Sequence, residues 1–245
     1  MAQSQQNLGV LVPFYGWYKQ VMWHFKNRPT NKTNIFMSID KLQNLSVEYD
    51  QIFFIDCLPE DEYNDWKISQ DISQFLGDNG ILQNTSICRN KKLVIATLNY
   101  VLKLASNETK ICLHIVSHGD KDGLWIKSTD EDILWTDFKQ LLGQINDAMG
   151  GTLLLNMTNC KGLNGIKIVD TNATNYPFFG LIGYSVDLEV DRGKHINKMF
   201  YEKILNGKQI NDAVSELKKE LNDDNLYCIS SQGYKIIKNK LSSHK

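Results

Sequence analysis

Residues 111–120 read ICLHIVSHGD, and residues 151–162 read GTLLLNMTNCKG. In each stretch a short apolar run passes directly into small and polar residues. Continuous apolar runs of this length, bounded by turn residues, are typical of strands that are buried on both faces of a parallel sheet. The two stretches therefore predict core strands that end in side chains capable of chemistry.

Three more apolar runs of the same kind flank these stretches, at residues 52–55, 178–184 and 226–230. Segments of helical period separate the runs. In these segments apolar side chains recur on one helix face, over residues 94–105, 135–145, 196–204 and 213–221. Strands that alternate with helices predict an α/β fold with a mostly parallel central sheet and helices on both faces.

The first part of the chain is harder to interpret. Residues 15–25 have the apolar spacing of an amphipathic helix, but no functional motif accompanies it. We therefore treat residues 1–45 as an N-terminal segment of unknown role. Residues 46–245 contain all the predicted core strands and are expected to form one domain.

Composition and charge exclude several classes of function. With 27 Lys and Arg against 28 Asp and Glu, no overall basic field is present, so nucleic acid is not expected as a direct partner. No apolar stretch approaches the roughly 20 residues that span a bilayer. The N-terminus lacks the pattern of a secretory signal, which predicts a cytoplasmic protein without a membrane partner. The five cysteines are scattered without a C-x-x-C pair, so we expect reduced thiols and no metal site.

His118 and Cys160 each follow one of the two core strands. The chain between them has room for a hairpin around residues 123–126 and one crossover helix, so the strands can be neighbours in a right-handed unit. Parallel strands end at the same edge of a sheet, and His118 and Cys160 are therefore expected to face each other. A thiolate attacks carbonyl carbon well, and a nearby imidazole can accept and return its proton.

Gly119 directly follows the histidine. Without a Cβ, its backbone can come close to a substrate. The N–H groups of Gly119 and Cys160 could then stabilise the oxyanion that forms during acyl transfer. The pattern predicts an oxyanion hole beside the nucleophile.

Each of these residues also has an ordinary structural interpretation. A histidine after a strand is usually a loop residue, and a lone cysteine is usually part of the core. His114 lies within the strand and is expected to be a hydrogen-bonded core residue. The joint placement of His118 and Cys160 at strand ends, with a glycine after the histidine, favours catalysis.

The strings SHGDKDGLW and LLLNMTNCKG resemble the histidine-glycine and cysteine motifs of the caspase-like cysteine proteases of clan CD, particularly the bacterial CHAT branch. The string FFGLIGYSVDLEVD, followed by HINKMFYEKILNGKQINDAVSEL, is similar to a third segment of that branch. The likeness covers roughly residues 50–235 and depends on three motifs in the right order. The string CKGLNG departs from the common C-x-S form, which affects the expected loop and not the dyad.

The resemblance implies a caspase-haemoglobinase fold over residues 46–245 and peptide-bond hydrolysis by a Cys-His dyad, with no cofactor and no required third residue. By motif position, His118 is the general acid and base, Cys160 is the nucleophile, and the amides of Gly119 and Cys160 form the oxyanion hole. Stand-alone CHAT proteins often act in antiviral defence or programmed cell death. The resemblance therefore implies a protein substrate, such as a gasdermin-like pore former or another operon neighbour, and a regulatory protein as a second partner.

Two carboxylates are candidates for substrate binding. Asp56 ends the first core strand, and Asp187 follows the run at residues 178–184. A basic P1 side chain requires such a partner, and by resemblance to arginine- and lysine-specific relatives Asp56 is the leading candidate and Asp187 the second. Aspartate at a strand end is also a common turn former. The acidic string at residues 59–65 is typical of a solvated loop, with a flap or a maturation site as alternatives.

Two other functions compete with a protease. A catalytically silent caspase-like adaptor would keep the fold and bind partners at the same groove, but the intact His118, Gly119 and Cys160 argue against it. A nucleotide-binding α/β protein is disfavoured, because neither a G-x-G-x-x-G nor a G-x-x-x-x-G-K-[ST] motif follows any predicted strand.

Overall fold

The fold is built around a six-stranded sheet, seen in a computed structural model that describes residues 21–24 and 46–242. The strands, in chain order, are β1 (Val21–His24), β2 (Ser46–Tyr49), β3 (Gln51–Asp56), β4 (Gln83–Ile87), β5 (Ile111–Val116), β6 (His118–Gly119), β7 (Gly123–Ile126), β8 (Glu131–Leu134), β9 (Leu154–Thr158), β10 (Gly180–Tyr184) and β11 (Leu226–Ser230). The helices are α1 (Glu60–Trp66), α2 (Ile68–Asp78), α3 (Lys91–Leu104), α4 (Trp135–Ala148), α5 (Val190–Leu205), α6 (Ile210–Glu220) and α7 (Ser231–Ser242). A 3-10 helix spans Gly162–Ile168.

Five strands of the central sheet are parallel, in the spatial order β10-β9-β5-β3-β4, and β11 adds an antiparallel edge beside β10. The chain passes from β3 to β4 on one side and then returns to β5 on the other side of β3. In open α/β sheets, ligands bind beyond the carboxyl ends of the strands where the strand order reverses in this way. The loops after β3 and β5 therefore flank the expected position of a ligand.

Helices cover both faces of the sheet. On one face, the ring centroids of Phe54 and His114 lie 4.7 Å apart. The centroid of the Tyr201 ring, from α5, lies 5.7 Å from that of His114. On the other face, Phe53 contacts Tyr100 of α3. Successive strand residues point to opposite faces, so double-sided cover requires the continuous apolar runs seen in the sequence. The chain thus has the α/β architecture, with a mostly parallel central sheet flanked by helices, that the sequence predicts.

A small antiparallel sheet, β6-β7-β8, projects from the chain between β5 and α4. His118 pairs with Trp125, and Gly119 pairs with Leu124. The sheet includes the hairpin expected around residues 123–126. It places His118 in a paired strand rather than in a free loop.

The structure differs from the sequence predictions at three elements. The run at residues 226–230 forms the antiparallel edge strand β11, in which only Leu226 is buried, and not a strand covered on both faces. The edge strand β4 is polar, so no apolar run in the sequence predicts it. Residues 21–24 form a strand that pairs with β2, so a helix is wrong there, and the rest of residues 15–25 lies outside the described residues. Among the described helices, none is long and apolar enough to cross a membrane.

Candidate active site

His118 and Cys160 emerge at the same edge of the central sheet. Strands β5 and β9 are adjacent and parallel, with Val116 opposite Thr158. The N–H of Ser117 continues this pairing by donating to the Thr158 carbonyl at 3.3 Å. His118 and Cys160 each lie two residues beyond these register partners. Neighbouring strand ends therefore carry the imidazole and the thiol.

Cys160 occupies a tight turn between β9 and the 3-10 helix. Lys161 has a φ of 54°, and its N–H donates to the Val186 carbonyl at 2.9 Å. A lysine in the left-handed region is uncommon and indicates a turn that its surroundings enforce. Cys160 is partly exposed, and its Sγ accepts the N–H of Leu188 at 3.3 Å.

Two tryptophans and a carboxylate hold the His118 ring. The Trp66 ring lies 5.7 Å away in an edge-on arrangement, and the Trp125 ring lies 5.5 Å away. The His118 Nε2 atom is 2.5 Å from Oε2 of Glu62. Within the described part of the chain no hydrogen bond joins His118 to the Cys160 thiol, and such contacts are often long before substrate binds.

The sequence pattern does not single out Glu62. The acidic string at residues 59–65, expected as a solvated loop, instead lies almost entirely in helix α1, and Glu62 is only 8% exposed. Glu62 and Trp66 are four residues apart, so both lie on the helix face that contacts His118. The four-residue spacing places Glu62 and Trp66 on one face only if the segment is helical, so it could have identified Glu62 only after the helix was known.

Asn159 lies between the histidine strand and the cysteine turn. Asn159 is 3% exposed, and its Nδ2 donates to the carbonyl of Cys160 at 3.1 Å. A Cβ on Gly119 would lie 2.5 Å from Asn159 Nδ2, and a Cβ on Gly162 would lie 2.6 Å from its Oδ1. A side chain at position 119 or 162 would clash with the Asn159 amide, so both positions require glycine. No sequence motif indicated this role of Asn159.

The two backbone amides expected in the oxyanion hole are available at this edge. Asp120 N–H donates to the Gly123 carbonyl at 3.0 Å, and hydrogen-bonded pairs alternate along antiparallel strands. The N–H of Gly119, one residue earlier, therefore points away from β7. Among the described groups, none accepts a hydrogen bond from the N–H of Cys160.

Asp56 lies at the same edge but is fully buried. Its Oδ1 accepts the N–H of Leu58 at 3.0 Å, and its Oδ2 accepts the hydroxyl of Ser69 at 2.5 Å. Burial raises the pKa of Asp56, and the hydrogen bonds from Ser69 and Leu58 only partly offset this effect. Both carboxylate oxygens thus already have partners within the protein.

Asp187, the other carboxylate expected to bind substrate, is in the loop after β10. Its side chain is 74% exposed, and it pairs with Lys161 Nζ at 3.1 Å. Since Lys161 follows the candidate nucleophile, this ion pair lies beside the Cys160 turn. Asp187 is therefore the one of the two carboxylates that faces solvent next to the thiol.

His114 belongs to a buried polar network beneath the site. Its Nδ1 is 3.0 Å from the Tyr201 hydroxyl, and its Nε2 is 2.8 Å from Oγ1 of Thr158. Burial lowers the pKa of His114 to about 3, so its ring is neutral at neutral pH. His114 is the hydrogen-bonded core histidine that the sequence predicts, and it supports the end of β9.

The described residues include no group of three or more His, Cys, Asp and Glu side chains that could hold a metal ion. No family model and no curated protein matches the chain. The function is therefore inferred from the residues and their geometry.

Proposed function

We propose that the protein is a cysteine endopeptidase with a caspase-haemoglobinase fold, of the kind that its likeness to the CHAT branch implies. The observation that carries this proposal is the parallel register of β5 and β9, which sets His118 and Cys160 on neighbouring strand ends. The N–H groups of Gly119 and Cys160 lie at the same edge. A thiol, an imidazole and two amide donors are the groups that acyl transfer requires.

In the first half of the reaction, His118 accepts the thiol proton and Cys160 Sγ attacks the carbonyl carbon of the scissile peptide bond. The carbonyl oxygen takes up the electron pair, and the amides of Gly119 and Cys160 stabilise the oxyanion. When the C–N bond breaks, the imidazolium of His118 gives its proton to the leaving amine. A thioester remains on Cys160.

In the second half, water replaces the departed amine. His118 accepts a proton from this water as its oxygen attacks the thioester carbonyl. The C–S bond then breaks, the sulfur recovers a proton from His118, and the carboxylic acid product leaves. Every proton is returned, and no cofactor enters these steps.

The substrate side chain at P1 is proposed to be basic. Both oxygens of Asp56 are occupied by Ser69 and Leu58, whereas Asp187 is exposed beside the nucleophile. The geometry therefore favours Asp187 over Asp56 as the carboxylate that meets an arginine or lysine side chain. A bound substrate cation would compete with Lys161 for Asp187.

The proposed biological setting is bacterial defence or programmed cell death in the cytoplasm. The substrate would be a protein, such as a gasdermin-like pore former or another product of a neighbouring gene, and a regulatory protein would control cleavage. The likeness to the CHAT branch is the only support for these partners.

The proposal is tested by incubating the purified protein with candidate partner proteins and with peptides that carry arginine or lysine at P1. Mass spectrometry of the products then locates each cut. We expect cleavage by the wild type and its loss in Cys160→Ala and His118→Ala. Cys228→Ala is the matched control, because Cys228 is also a partly exposed cysteine, and this variant should cleave normally. Cleavage that survives Cys160→Ala would contradict the proposal.

One observation favours an adaptor as the second candidate. The Cys160 thiol bonds to the backbone of Leu188, while the His118 Nε2 is bonded to Glu62. In an adaptor the thiol and the imidazole take part in no reaction, so both of these hydrogen bonds could remain in place permanently. Full biological function of Cys160→Ala, together with no cleavage by the wild type, would support the adaptor.

A further inference from the structure

The carboxylate of Glu62 makes one short contact with each of two basic side chains. Its Oε2 lies 2.5 Å from His118 Nε2, and its Oε1 lies 2.5 Å from Lys127 Nζ. The Glu62 side chain is 11% exposed, against 26% for His118 and 43% for Lys127. A carboxylate removed from water to this extent is held by its partners, and its charge is poorly screened at the imidazole.

We propose that Glu62 is a positioning residue that orients His118 for proton transfer with Cys160, and that Lys127 in turn orients Glu62. This role rests on the proposed function and adds a third member to a site that the family likeness describes as a dyad. Glu62 acts through the imidazole and does not touch the reacting bond.

The contact determines which ring nitrogen can act as a base. A neutral imidazole carries its proton on one nitrogen, and an ionised carboxylate can only accept a hydrogen bond. Glu62 therefore holds the proton on the Nε2 of His118, which leaves Nδ1 unprotonated for the thiol of Cys160. When Nδ1 takes that proton, the carboxylate stabilises the imidazolium that results.

Two elements, helix α1 and strand β7, restrict the His118 ring to this orientation. Trp66 comes from the same helix as Glu62, and Trp125 comes from the strand that pairs with His118. The Trp125 indole N–H is itself fixed by Asp130 at 3.0 Å. The ring thus lies between two aromatic side chains with its Nε2 directed at the carboxylate.

Other charged side chains lie on the elements around this pair, but in the described structure only Lys127 joins His118 in contacting the Glu62 carboxylate. On the β6–β7 turn, Asp120 accepts the N–H groups of Asp122 and Gly123. At the cysteine turn, Lys161 pairs with Asp187. Glu60 and Asp61 lie in the same first turn of α1 as Glu62 but are exposed. Glu62 is the acidic side chain of this helix that reaches His118.

The first experiment needs no substrate. The rate at which iodoacetamide alkylates Cys160 is measured from pH 5 to pH 10 in the wild type, in Glu62→Gln and in the matched control Glu60→Gln. Without the carboxylate charge, an imidazolium beside the thiolate is less stable, so the thiolate should form only at higher pH. We expect the midpoint in Glu62→Gln to rise by about one pH unit, which is a roughly tenfold loss of rate near neutral pH. Glu60→Gln should match the wild type.

Lys127 gives a second variant at an exposed position. Lys127→Met should move the alkylation midpoint in the same direction by less than Glu62→Gln does, and Lys127→Arg should restore the wild-type profile. If Glu62→Gln does not fold, NMR of the wild-type His118 ring decides the question. A proton on Nε2 supports the role of Glu62, and a proton on Nδ1 overturns it.

The outcomes separate this inference from the proposed function. A folded Glu62→Gln variant with the wild-type alkylation profile would remove the positioning role, even if Cys160→Ala abolishes cleavage. A Glu62-dependent profile in a protein that cleaves no substrate would instead overturn the protease and keep the coupling of Glu62 to His118.

Discussion

The side chain of Asn159 fills the space beside Gly119 that any larger residue would need. A Cβ on Gly119 would lie 2.5 Å from Asn159 Nδ2 and 2.9 Å from the carbonyl oxygen of Gly123. The sequence suggests that this glycine lets a substrate approach the backbone. The structure adds a second reason, because the Asn159 amide lies where a Cβ on residue 119 would need space.

Gly119→Ala should therefore destabilise the protein, because the added methyl group would come too close to the Asn159 side chain and the Gly123 backbone for both to keep their positions. We expect a loss of about 1–3 kcal/mol in the free energy of unfolding, measured by urea denaturation. Gly77→Ala is the control, since its Cβ would meet nothing closer than 3.8 Å inside helix α2. That change should leave stability unaltered or raise it by up to about 1 kcal/mol.

A double-mutant cycle tests whether Asn159 is the residue that Gly119 accommodates. Asn159→Ala removes the hydrogen bond to the Cys160 carbonyl and should itself cost about 1–3 kcal/mol. Combined with Gly119→Ala, it also removes one of the two clashes. We expect the double variant to be more stable than the sum of the single changes predicts, by at least about 0.5 kcal/mol. Simple additivity would show that Asn159 does not constrain Gly119.

His114 predicts a specific dependence of stability on pH. Burial lowers its pKa to about 3, against 6.5 for an exposed histidine, so the unfolded chain binds a proton that the native state does not. The free energy of unfolding should therefore fall as pH drops below about 6.5, by up to about 1.4 kcal/mol per pH unit from this residue. Below about pH 3 the native ring also binds its proton and this loss ends.

The measurement is urea denaturation at pH 7, 6, 5 and 4.5 in the wild type and in His114→Gln. The variant should be less stable at pH 7, because Tyr201 and Thr158 lose a partner, and the gap should narrow as pH falls. His195→Gln is the control at an exposed histidine and should leave the pH dependence unchanged. A constant gap between wild type and His114→Gln would contradict the assignment.

Asp56 and Asp187 are expected to affect different properties. Asp56→Ala leaves the Leu58 N–H and the Ser69 hydroxyl without an acceptor, so stability should fall by about 2–4 kcal/mol. Asp187→Ala is exposed and should change stability by less than about 0.5 kcal/mol. The preference for arginine over glutamine at P1, measured as a ratio of kcat/KM, should fall in Asp187→Ala. A fall in Ser69→Ala or Asp56→Ala alone would instead assign P1 recognition to Asp56.

Local sequence was sufficient to predict the core strands β5 and β9. It also predicted the helices in which apolar residues recur with the helical period. Strands covered on both faces must be apolar at every position, which distinguishes them from the polar segments around them. The edge strand β4 could not be predicted in this way, because one of its sides meets no other strand and its sequence, QNTSI, is polar. β11 is the opposite case: its largely apolar sequence, LYCIS, predicted a buried parallel strand, but it lies at the antiparallel edge of the sheet.

The positions of His118, Gly119 and Cys160 at the ends of predicted parallel strands could be read from local features, because apolar runs and the polar residues that follow them are local. The contact of Glu62 with His118 and the packing of Asn159 between Gly119 and Gly162 are seen only in the folded protein. These contacts depend on how helix α1 and the cysteine turn pack against the sheet edge. Packing between distant segments is set by shape and burial, which the periodicity of either segment does not encode.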